Sequence, residues 1–212
     1  MTISTLDAAL QEITAATPIE AHNLLQAFIK EQQSSGLANG LPVGGKAKDF
    51  VLKDTFGREV SLYEELSKGP VVLTFYRGSW CPYCNRQLRA YQEVLPDIQA
   101  LQSQLIAVSP QLPDSTLSFK EKAELEFQVL SDPNGLVTGA YRLLYDVPDP
   151  LKQLFLAMNI DLKEYNGTDH WILPIPATFM IDEHAIIRSA FVTPDFMQRM
   201  EPEEIIRELR SL

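Results

Sequence analysis

Cysteine, histidine and long apolar runs are all scarce in this sequence. Its 212 residues include only two cysteines and three histidines. Two cysteines are too few for the disulfide framework of a small secreted protein. No stretch reaches the roughly 20 apolar residues that span a bilayer, and the N-terminus lacks a basic start followed by an apolar run. We therefore expect a soluble, cytoplasmic protein that has no membrane partner.

Positive charge is scarce as well. Eighteen Lys and Arg stand against 28 Asp and Glu, and the net charge of −10 is spread along the chain without a basic patch. Nucleic acid and anionic membranes are therefore not expected as partners. With 45% hydrophobic residues, the chain is long enough for one sizeable core, whereas a second complete domain would be cramped.

The first 40 residues are predicted to form a helical extension and a linker. Apolar residues recur at three- and four-residue steps over residues 4–36, with a break at Thr17-Pro18 and a stop at Gly36. A glycine-rich segment follows and is the best linker candidate. We therefore assign residues 1–40 to the extension and residues 41–212 to the main domain. The sequence leaves open whether the helices form a homodimer interface or pack on their own domain.

The main domain has the pattern of an α/β protein. The segment "DFVLKDTFGREVSL" indicates a hairpin, and Ser61 is expected to cap a short helix. The run "PVVLTFY" is typical of a strand buried on both faces. Further helices are expected at 82–103 with a kink at Pro96, at 114–125 and at 134–146, alternating with strands at 104–110 and 127–132. This alternation implies parallel strands with right-handed crossovers. An extra helix within 149–171 then interrupts it, before a closing hairpin and a C-terminal helix.

Both cysteines lie in "LTFYRGSWCPYCNRQL", residues 73–88, directly after the buried strand. If Cys81 caps the next helix, unpaired backbone N–H groups and the helix dipole favour its thiolate, so that its pKa falls below the ordinary value of about 8.5. Cys84, one turn further on, would be more buried and within reach of Cys81. Pro82 suits the first helical turn. The pattern is typical of an attacking thiolate and a resolving thiol that closes an internal disulfide.

A C-x-x-C pair can have three other roles. A zinc site needs four ligands, and His22, His170 and His184 are scattered along the sequence. Haem attachment requires a histidine directly after the second cysteine, where Asn85 stands. Two inert, buried cysteines would be unusual between the end of a strand and the start of a helix. Redox chemistry that uses no metal or organic cofactor is the favoured interpretation.

A proline far from the cysteines adds to the predicted site. Pro176 stands at the entrance of a late strand, and Thr178 follows two residues later. Together with a C-x-x-C pair in a βαβ setting, Pro176 suggests a cis-proline loop that packs against the disulfide and presents backbone groups to a substrate. An edge-strand proline is the plainer alternative.

Other side chains near the cysteines have two interpretations each. His170 is a candidate proton relay if its loop folds over Cys81, and otherwise an exposed loop histidine. Arg77, four residues before Cys81, is either a charge that stabilises the thiolate or a surface arginine at a strand end. Trp80 is expected to pack beside the disulfide, and Tyr83 to be exposed at the helix start.

Together these segments resemble a known family. "FYRGSWCPYCNRQL" followed by "PIPATFMID" resembles the thioredoxin fold. The order of elements and the stretches "LIAVSPQ", "FQVLSD", "YNGTDHW" and "FVTPDFMQRMEPEEII" resemble the peroxiredoxin-like branch of the alkyl hydroperoxide reductase/thiol-specific antioxidant family. The resemblance implies a central mixed sheet flanked by helices, with an N-terminal helical extension and an inserted helix before the cis-proline loop.

The sequence departs from the peroxiredoxin signature Pro-x-x-x-Thr-x-x-Cys. Counted back from Cys81, the Thr position holds Gly78, and counted back from Cys84 it holds Cys81. Pro176 stands where the family has an arginine before the later strand. Arg77 is the candidate that supplies the missing charge.

The resemblance implies a thiol-dependent peroxidase. Cys81 would attack hydrogen peroxide or an organic hydroperoxide and become a sulfenic acid, Cys84 would condense with it, and thioredoxin or a glutathione/glutaredoxin system would reduce the disulfide. The residues expected to contact the substrate are Arg77, Trp80, Pro82, His170, Pro176 and Thr178. One alternative is a thioredoxin/glutaredoxin-like disulfide oxidoreductase, which the missing signature favours. The other is a non-catalytic redox-sensing module.

Overall fold

A seven-stranded mixed sheet lies at the centre of the computed structural model, which describes residues 5–36, 39–113, 115 and 123–212. The described strands are β1 Val51–Asp54, β2 Glu59–Ser61, β3 Val71–Phe75, β4 Gln104–Ser109, β5 Gln128–Ser131, β6 Leu144–Asp146, β7 Ile172–Pro174, β8 Ala177–Ile181 and β9 Ile187–Val192. The described helices are α1 Leu6–Ala15, α2 Ile19–Ser35, α3 Leu62–Leu66, α4 Pro82–Glu93, α5 Leu95–Ala100, α6 Leu136–Ala140, α7 Asp149–Ala157, α8 Leu162–Asn166 and α9 Pro202–Leu209.

The order of the strands confirms the predicted mixed α/β sheet. The large sheet runs β2-β1-β5-β4-β3-β8-β9, and β6 pairs with β7 separately. Strands β3, β4 and β5 are parallel, whereas β8 is antiparallel to β3 and β9 is antiparallel to β8. All five residues of β3 are buried, as expected for a central strand covered on both faces. The C-terminal end of β3, which the cysteines follow, therefore lies in the interior of the sheet rather than at its edge.

Local signals before and after β3 are confirmed. Strands β1 and β2 form the predicted hairpin, and the Ser61 hydroxyl accepts a hydrogen bond from the backbone N–H of Glu64 at the start of α3. The long helix after β3 is broken at Val94, between α4 and α5, because Pro96 lacks the N–H group that would continue the hydrogen-bond ladder.

The N-terminal helices pack against their own chain. Leu10 of α1 and Phe28 of α2 are buried in the common core. The backbone N–H groups of Leu6 and Asp7 donate to the carboxylate of Glu201 at 3.1 and 2.7 Å, which ties the first turn of α1 to the start of α9. The structure thus shows that the helices pack on their own domain, and the homodimer interface stays a prediction. The boundary at residue 40 stays a prediction.

The helix predicted over 134–146 is wrong in its second half. Helix α6 ends at Ala140, and Arg142 then adopts a positive φ of 58°, which ends the helical path. The chain continues as β6, which pairs with β7. Most of the helix predicted over 114–125 lies outside the described residues.

The inserted helix is confirmed as α7, and the predicted polar loop after it contains the short helix α8. The cis-proline prediction is wrong, because all described peptide bonds are trans. The N–H of Ile175 donates to the carbonyl of Leu143 at 2.7 Å, so the chain stays paired and extended until Pro176 and enters β8 without a reversal. A trans bond continues this extended path and is also the lower-energy isomer. Within the described residues, no helix is both long and apolar enough to cross a bilayer.

Candidate active site

The cysteine pair lies where the central strand passes into α4. The backbone of Cys81 occupies the N-cap position of α4 with φ −91° and ψ 112°, and Pro82 is the first helical residue. The Cys81 side chain makes no capping hydrogen bond. Its sulfur is instead in contact with the Cys84 thiol and with Arg77.

Hydrogen bonds hold the loop that leads to the cysteines. The buried Gln111, just beyond β4, accepts from the N–H of Ser79 at 2.7 Å and donates to its hydroxyl at 2.9 Å. Asn85 donates from α4 to the carbonyl of Ser79 at 2.8 Å. Gly78 has φ +147°, and a Cβ there would lie 2.4 Å from Nε1 of Trp80. Glycine is therefore required both for the backbone conformation and for the close packing of Trp80.

Both cysteines are reduced and buried, with 1% of Cys81 and 0% of Cys84 exposed. Each thiol has its own guanidinium neighbour. Nη1 of Arg77 lies 4.0 Å from Sγ of Cys81, and Nη2 of Arg199 lies 3.5 Å from Sγ of Cys84. The backbone N–H of Arg77 also donates to Sγ of Cys84 at 3.5 Å. Two positive charges and one N–H group thus face the two sulfur atoms.

Aromatic rings surround the Arg77 guanidinium. Its centre lies 4.1 Å from the ring centroid of Phe196, 4.8 Å from that of Trp80 and 5.5 Å from that of Phe155. Neither Arg77 nor Arg199 forms an ion pair with a carboxylate in the part of the chain that the structure describes. A buried cation needs compensation, and thiolate charge on the cysteine pair provides it.

Arg199 is held in place by a buried hydrogen-bond network. Its Nε donates to Oε1 of Gln87 at 2.7 Å, and its Nη1 donates to the carbonyls of Phe196 and Gln198. The amide of Gln87 donates in turn to the hydroxyl of Tyr91 at 3.1 Å. Further members of this network are Thr74, Thr178 and Met200.

The two thiols titrate as a coupled pair. Burial acts to raise the pKa of both, and the hydrogen bond between them separates the two values. Although burial opposes it, the pKa of Cys84 falls well below its ordinary value, since the Cys81 thiol, Arg199 and Arg77 stabilise its thiolate. The pKa of Cys81 is raised well above its ordinary value by burial and by the adjacent Cys84. These contacts favour thiolate charge on the cysteine pair, and those of Cys84 with Arg199 and with the N–H of Arg77 favour it on Cys84, whereas the sequence predicts the lowered pKa at Cys81.

A cavity of about 820 Å³ opens in front of Cys81. Its walls include Arg77, Trp80, Pro82 and Tyr83, together with residues of α1, α2 and α7. Cys84 is not part of the wall. A small molecule in this cavity therefore meets the Cys81 sulfur first.

The remaining predicted contact residues lie apart from the cavity wall. Pro176 is buried next to the end of the β3–β8 ladder, where Phe75 pairs with Ala177. The Thr178 hydroxyl is buried at 3.0 Å from that of Thr74, within the Arg199 network. His170 is exposed, and the structure brings neither its ring nor Pro176 into the cavity wall.

The prediction that Tyr83 is exposed is wrong, and two features of the site, Arg199 and Phe155, were not predicted. Tyr83 is 5% exposed, and its hydroxyl lies 3.2 Å from that of Thr14 in α1, because α1 covers the face of α4 that was expected to meet solvent. Arg199 has no local signal, since it lies 115 positions after Cys84. Phe155 belongs to the inserted helix, and its apolar stripe alone could not show that it faces Arg77.

No group of three or more His, Cys, Asp or Glu side chains lies close enough to hold a metal ion within the described residues. The fold and the paired thiols define a thiol redox protein of thioredoxin-like architecture. The model of the AhpC/TSA family matches residues 43–190, and the chain belongs to that family. The predicted family and fold are therefore confirmed.

Individual relatives come from two kinds of thiol protein. The chain is 29% identical over 164 residues to the thiol-disulfide oxidoreductase ResA of Geobacillus thermodenitrificans. This match covers 75% of this chain and 76% of that protein. The chain is 27% identical over 169 residues to the chloroplastic peroxiredoxin Q of Sedum lineare, and the match covers 80% of this chain and 78% of that protein. The crystal structure of peroxidoxin BcpB from Mycobacterium tuberculosis superposes with a TM-score of 0.63 at 20% identity, covering 81% of this chain and 98% of that one. The last match supports the fold.

Proposed function

We propose that the protein is a thiol-dependent peroxidase that reduces hydrogen peroxide or an organic hydroperoxide. The observation that carries this proposal is the position of Cys81, which lines a cavity and has its sulfur 4.0 Å from Arg77 Nη1. Family membership and the relationship to peroxiredoxin Q support the same activity.

The paired thiols divide the chemical steps between them. A proton moves from Cys81 to the Cys84 thiolate, and the Cys81 thiolate attacks one peroxide oxygen. A sulfur–oxygen bond forms, the oxygen–oxygen bond breaks, and the departing alkoxide or hydroxide takes a proton from Cys84 to leave as alcohol or water. Cys84 then attacks the Cys81 sulfenic acid, which releases hydroxide and closes the disulfide. One peroxide and two thiols thus yield one disulfide, one alcohol or water, and one further water after protonation.

An external thiol system completes the cycle. Thioredoxin or a glutathione/glutaredoxin system is the proposed reductant, and it transfers two electrons to the Cys81–Cys84 disulfide. We place this cycle in the cytoplasm, where these reductants keep thiols reduced.

A disulfide oxidoreductase is the second candidate. It is favoured by the relationship to ResA and by Cys81, which occupies the position of the signature threonine when the count starts from Cys84.

Stopped-flow tryptophan fluorescence distinguishes the two activities. A Trp171→Phe background leaves Trp80 as the single tryptophan, directly before Cys81. We expect a fast, saturating signal when the reduced protein meets hydrogen peroxide or cumene hydroperoxide, and no such signal in Cys81→Ser. A signal no faster than free-thiol oxidation, together with rapid exchange with oxidised glutathione or thioredoxin, would assign the protein to the disulfide oxidoreductases.

A further inference from the structure

One wall of the Cys81 cavity comes from outside the region that the family model matches. Ile13, Ala21 and Leu24 belong to α1 and α2, which precede the matched residues 43–190. The facing wall comes from the inserted helix α7 through Leu154 and Phe155. This chain therefore builds much of the cavity from its N-terminal extension, and the extension approaches the reactive sulfur.

The cavity is far larger than hydrogen peroxide requires. Its volume of about 820 Å³ lies in the range of cavities that hold drug-sized ligands, roughly 300 to 1,000 Å³. A water molecule, by comparison, occupies about 30 Å³ of liquid volume, and hydrogen peroxide contains only one oxygen atom more. Filling the cavity takes a molecule with a substantial body beyond the reacting oxygen atoms.

Most of the wall is apolar, and the polar side chains outside the reaction centre are those of Thr17, Glu20, Tyr83 and Gln153. Ile13, Leu24 and Leu154 are half-buried on them. At the rim, Met158 is 56% exposed. Ile19, which follows the lining residue Pro18 in the sequence, is 69% exposed. Large side chains of this kind favour contact with an apolar molecule over contact with water.

The two charged residues of the cavity lining, Arg77 and Glu20, differ in burial. Arg77 is buried beside the Cys81 sulfur, whereas Glu20 is exposed. No other lining residue carries a full charge at neutral pH in the resting state. A carboxylate on the body of a ligand would therefore find no cation outside the reaction centre and would meet the negative charge of Glu20.

We propose that this cavity selects neutral hydroperoxides with a bulky apolar body, such as aryl-alkyl or esterified acyl-chain hydroperoxides. This inference rests on the proposed peroxidase function and names its substrate class. The apolar body packs between α1, α2 and α7 and brings the peroxide group to the Cys81 sulfur. The sulfur attacks one oxygen, the oxygen–oxygen bond breaks, and the body leaves as the corresponding alcohol after it takes the proton held by Cys84.

A substitution that fills the cavity tests the role of its size. Ala21→Phe places a ring on the cavity wall, and Ala27→Phe makes the same change at an exposed position of α2 that does not line the cavity. The readout is the ratio of second-order rate constants for cumene hydroperoxide and hydrogen peroxide in single-turnover oxidation. We expect this ratio to fall by about tenfold in Ala21→Phe, in keeping with the cost of overpacking, and to stay unchanged in Ala27→Phe.

A charge reversal tests the selection for neutral substrates. Glu20→Lys and Glu31→Lys change the net charge equally, but Glu31 lies on α2 outside the cavity wall. The readout is the ratio of rate constants for linoleic acid hydroperoxide and its methyl ester, both below their micelle concentrations. We expect the natural protein to prefer the ester, and Glu20→Lys alone to raise the acid-to-ester ratio by about three- to tenfold.

Binding without chemistry gives a second readout. Cumyl alcohol, the product from cumene hydroperoxide, is expected to displace the neutral dye 1-N-phenylnaphthylamine from the reduced protein, and Ala21→Phe is expected to weaken both ligands. Equal rates for hydrogen peroxide and the bulky hydroperoxides, with an Ala21→Phe protein that keeps the same ratio, would overturn this inference and leave the peroxidase function in place. If no peroxide oxidises the protein faster than a free thiol, the proposed function and this inference both fail.

Discussion

Arg199 and Cys84 are in contact across 115 positions of sequence, with Nη2 of the arginine 3.5 Å from Sγ of the cysteine. The arginine comes from the segment before α9, and the cysteine from the first turn of α4. Because both side chains are buried, little water screens their interaction. Together with the Cys81 thiol and Arg77, this contact stabilises thiolate charge on Cys84, away from the cavity wall.

Removal of the Arg199 charge is expected to raise the pKa of the first thiol to ionise. The pKa of Cys84 lies below its ordinary value, so its thiolate persists as the pH falls below the value of about 8.5 at which a free thiol takes up its proton. In Arg199→Gln the ultraviolet absorbance of the thiolate should appear only at higher pH, and the thiolate fraction at neutral pH should fall by about tenfold or more.

Arg207→Gln is the matched control, since Arg207 carries the same charge but is exposed and pairs with Glu204. Its titration curve should coincide with that of the natural protein. An Arg199→Gln curve that also coincides would contradict the assignment of Arg199 as the group that stabilises the thiolate.

Gln87→Glu is expected to divert Arg199 from the thiolate. Oε1 of Gln87 already accepts from Nε of Arg199 at 2.7 Å, so a carboxylate at this position supplies a competing negative charge with little change in shape. The pKa of Cys84 should then rise, and the rate of peroxide oxidation at neutral pH should fall by about tenfold. Gln99→Glu, at an exposed position of α5, makes the same charge change far from this network and should leave both quantities as they are. A Gln87→Glu protein with the natural titration curve would show that the network does not control the thiolate.

Gly78→Ala is expected to destabilise the protein and disturb the site together. A methyl group at Gly78 would meet Trp80 Nε1 at 2.4 Å, whereas one at Gly44, also at positive φ, would meet nothing within 4 Å. Both variants should lose free energy of unfolding from the backbone conformation, about 1–2 kcal/mol at Gly44 in the left-handed region and about 1–3 kcal/mol at Gly78, where φ is +147°. Gly78→Ala should lose about 1–3 kcal/mol more from overpacking. Urea unfolding of both variants measures the difference, and equal losses would show that the loop accommodates the methyl group.

The sequence predicted best those features that depend on neighbouring residues. An unbroken apolar run identified β3 as a buried strand, and the Cys-Pro-x-Cys spacing placed Cys81 at the start of α4. The Ser61 cap follows from a single hydrogen bond three residues apart. In each case the physical cause lies within one turn or one strand.

Features that depend on tertiary contacts could not be predicted in the same way. Strand β6 forms because β7 pairs with it, although its sequence continues a helical pattern. Tyr83 is buried because α1 covers α4. The pKa of Cys84 is lowered by the adjacent Cys81 thiol and by Arg199, which comes from the far end of the chain. The helix dipole acts on the N-terminal cysteine and can be predicted from the sequence, whereas the contact with a buried guanidinium cannot.

The division of roles between the two cysteines is the central claim, and trapping of the sulfenic acid tests it most directly. Cys84→Ser and Cys81→Ser proteins would each be mixed with one equivalent of peroxide and dimedone, and the labelled residue identified by mass spectrometry. We predict rapid labelling of Cys81 in the Cys84→Ser protein, because Cys81 lines the cavity and the hydroxyl cannot form a disulfide with it. The substitution also removes the Cys84 thiolate that raises the pKa of Cys81, while Arg77 and Arg199, which lower it, remain. Labelling in the Cys81→Ser protein should be no faster than for a free thiol. Rapid labelling of Cys84 in the Cys81→Ser protein, with an unlabelled Cys84→Ser protein, would contradict the account and make Cys84 the residue that attacks the peroxide.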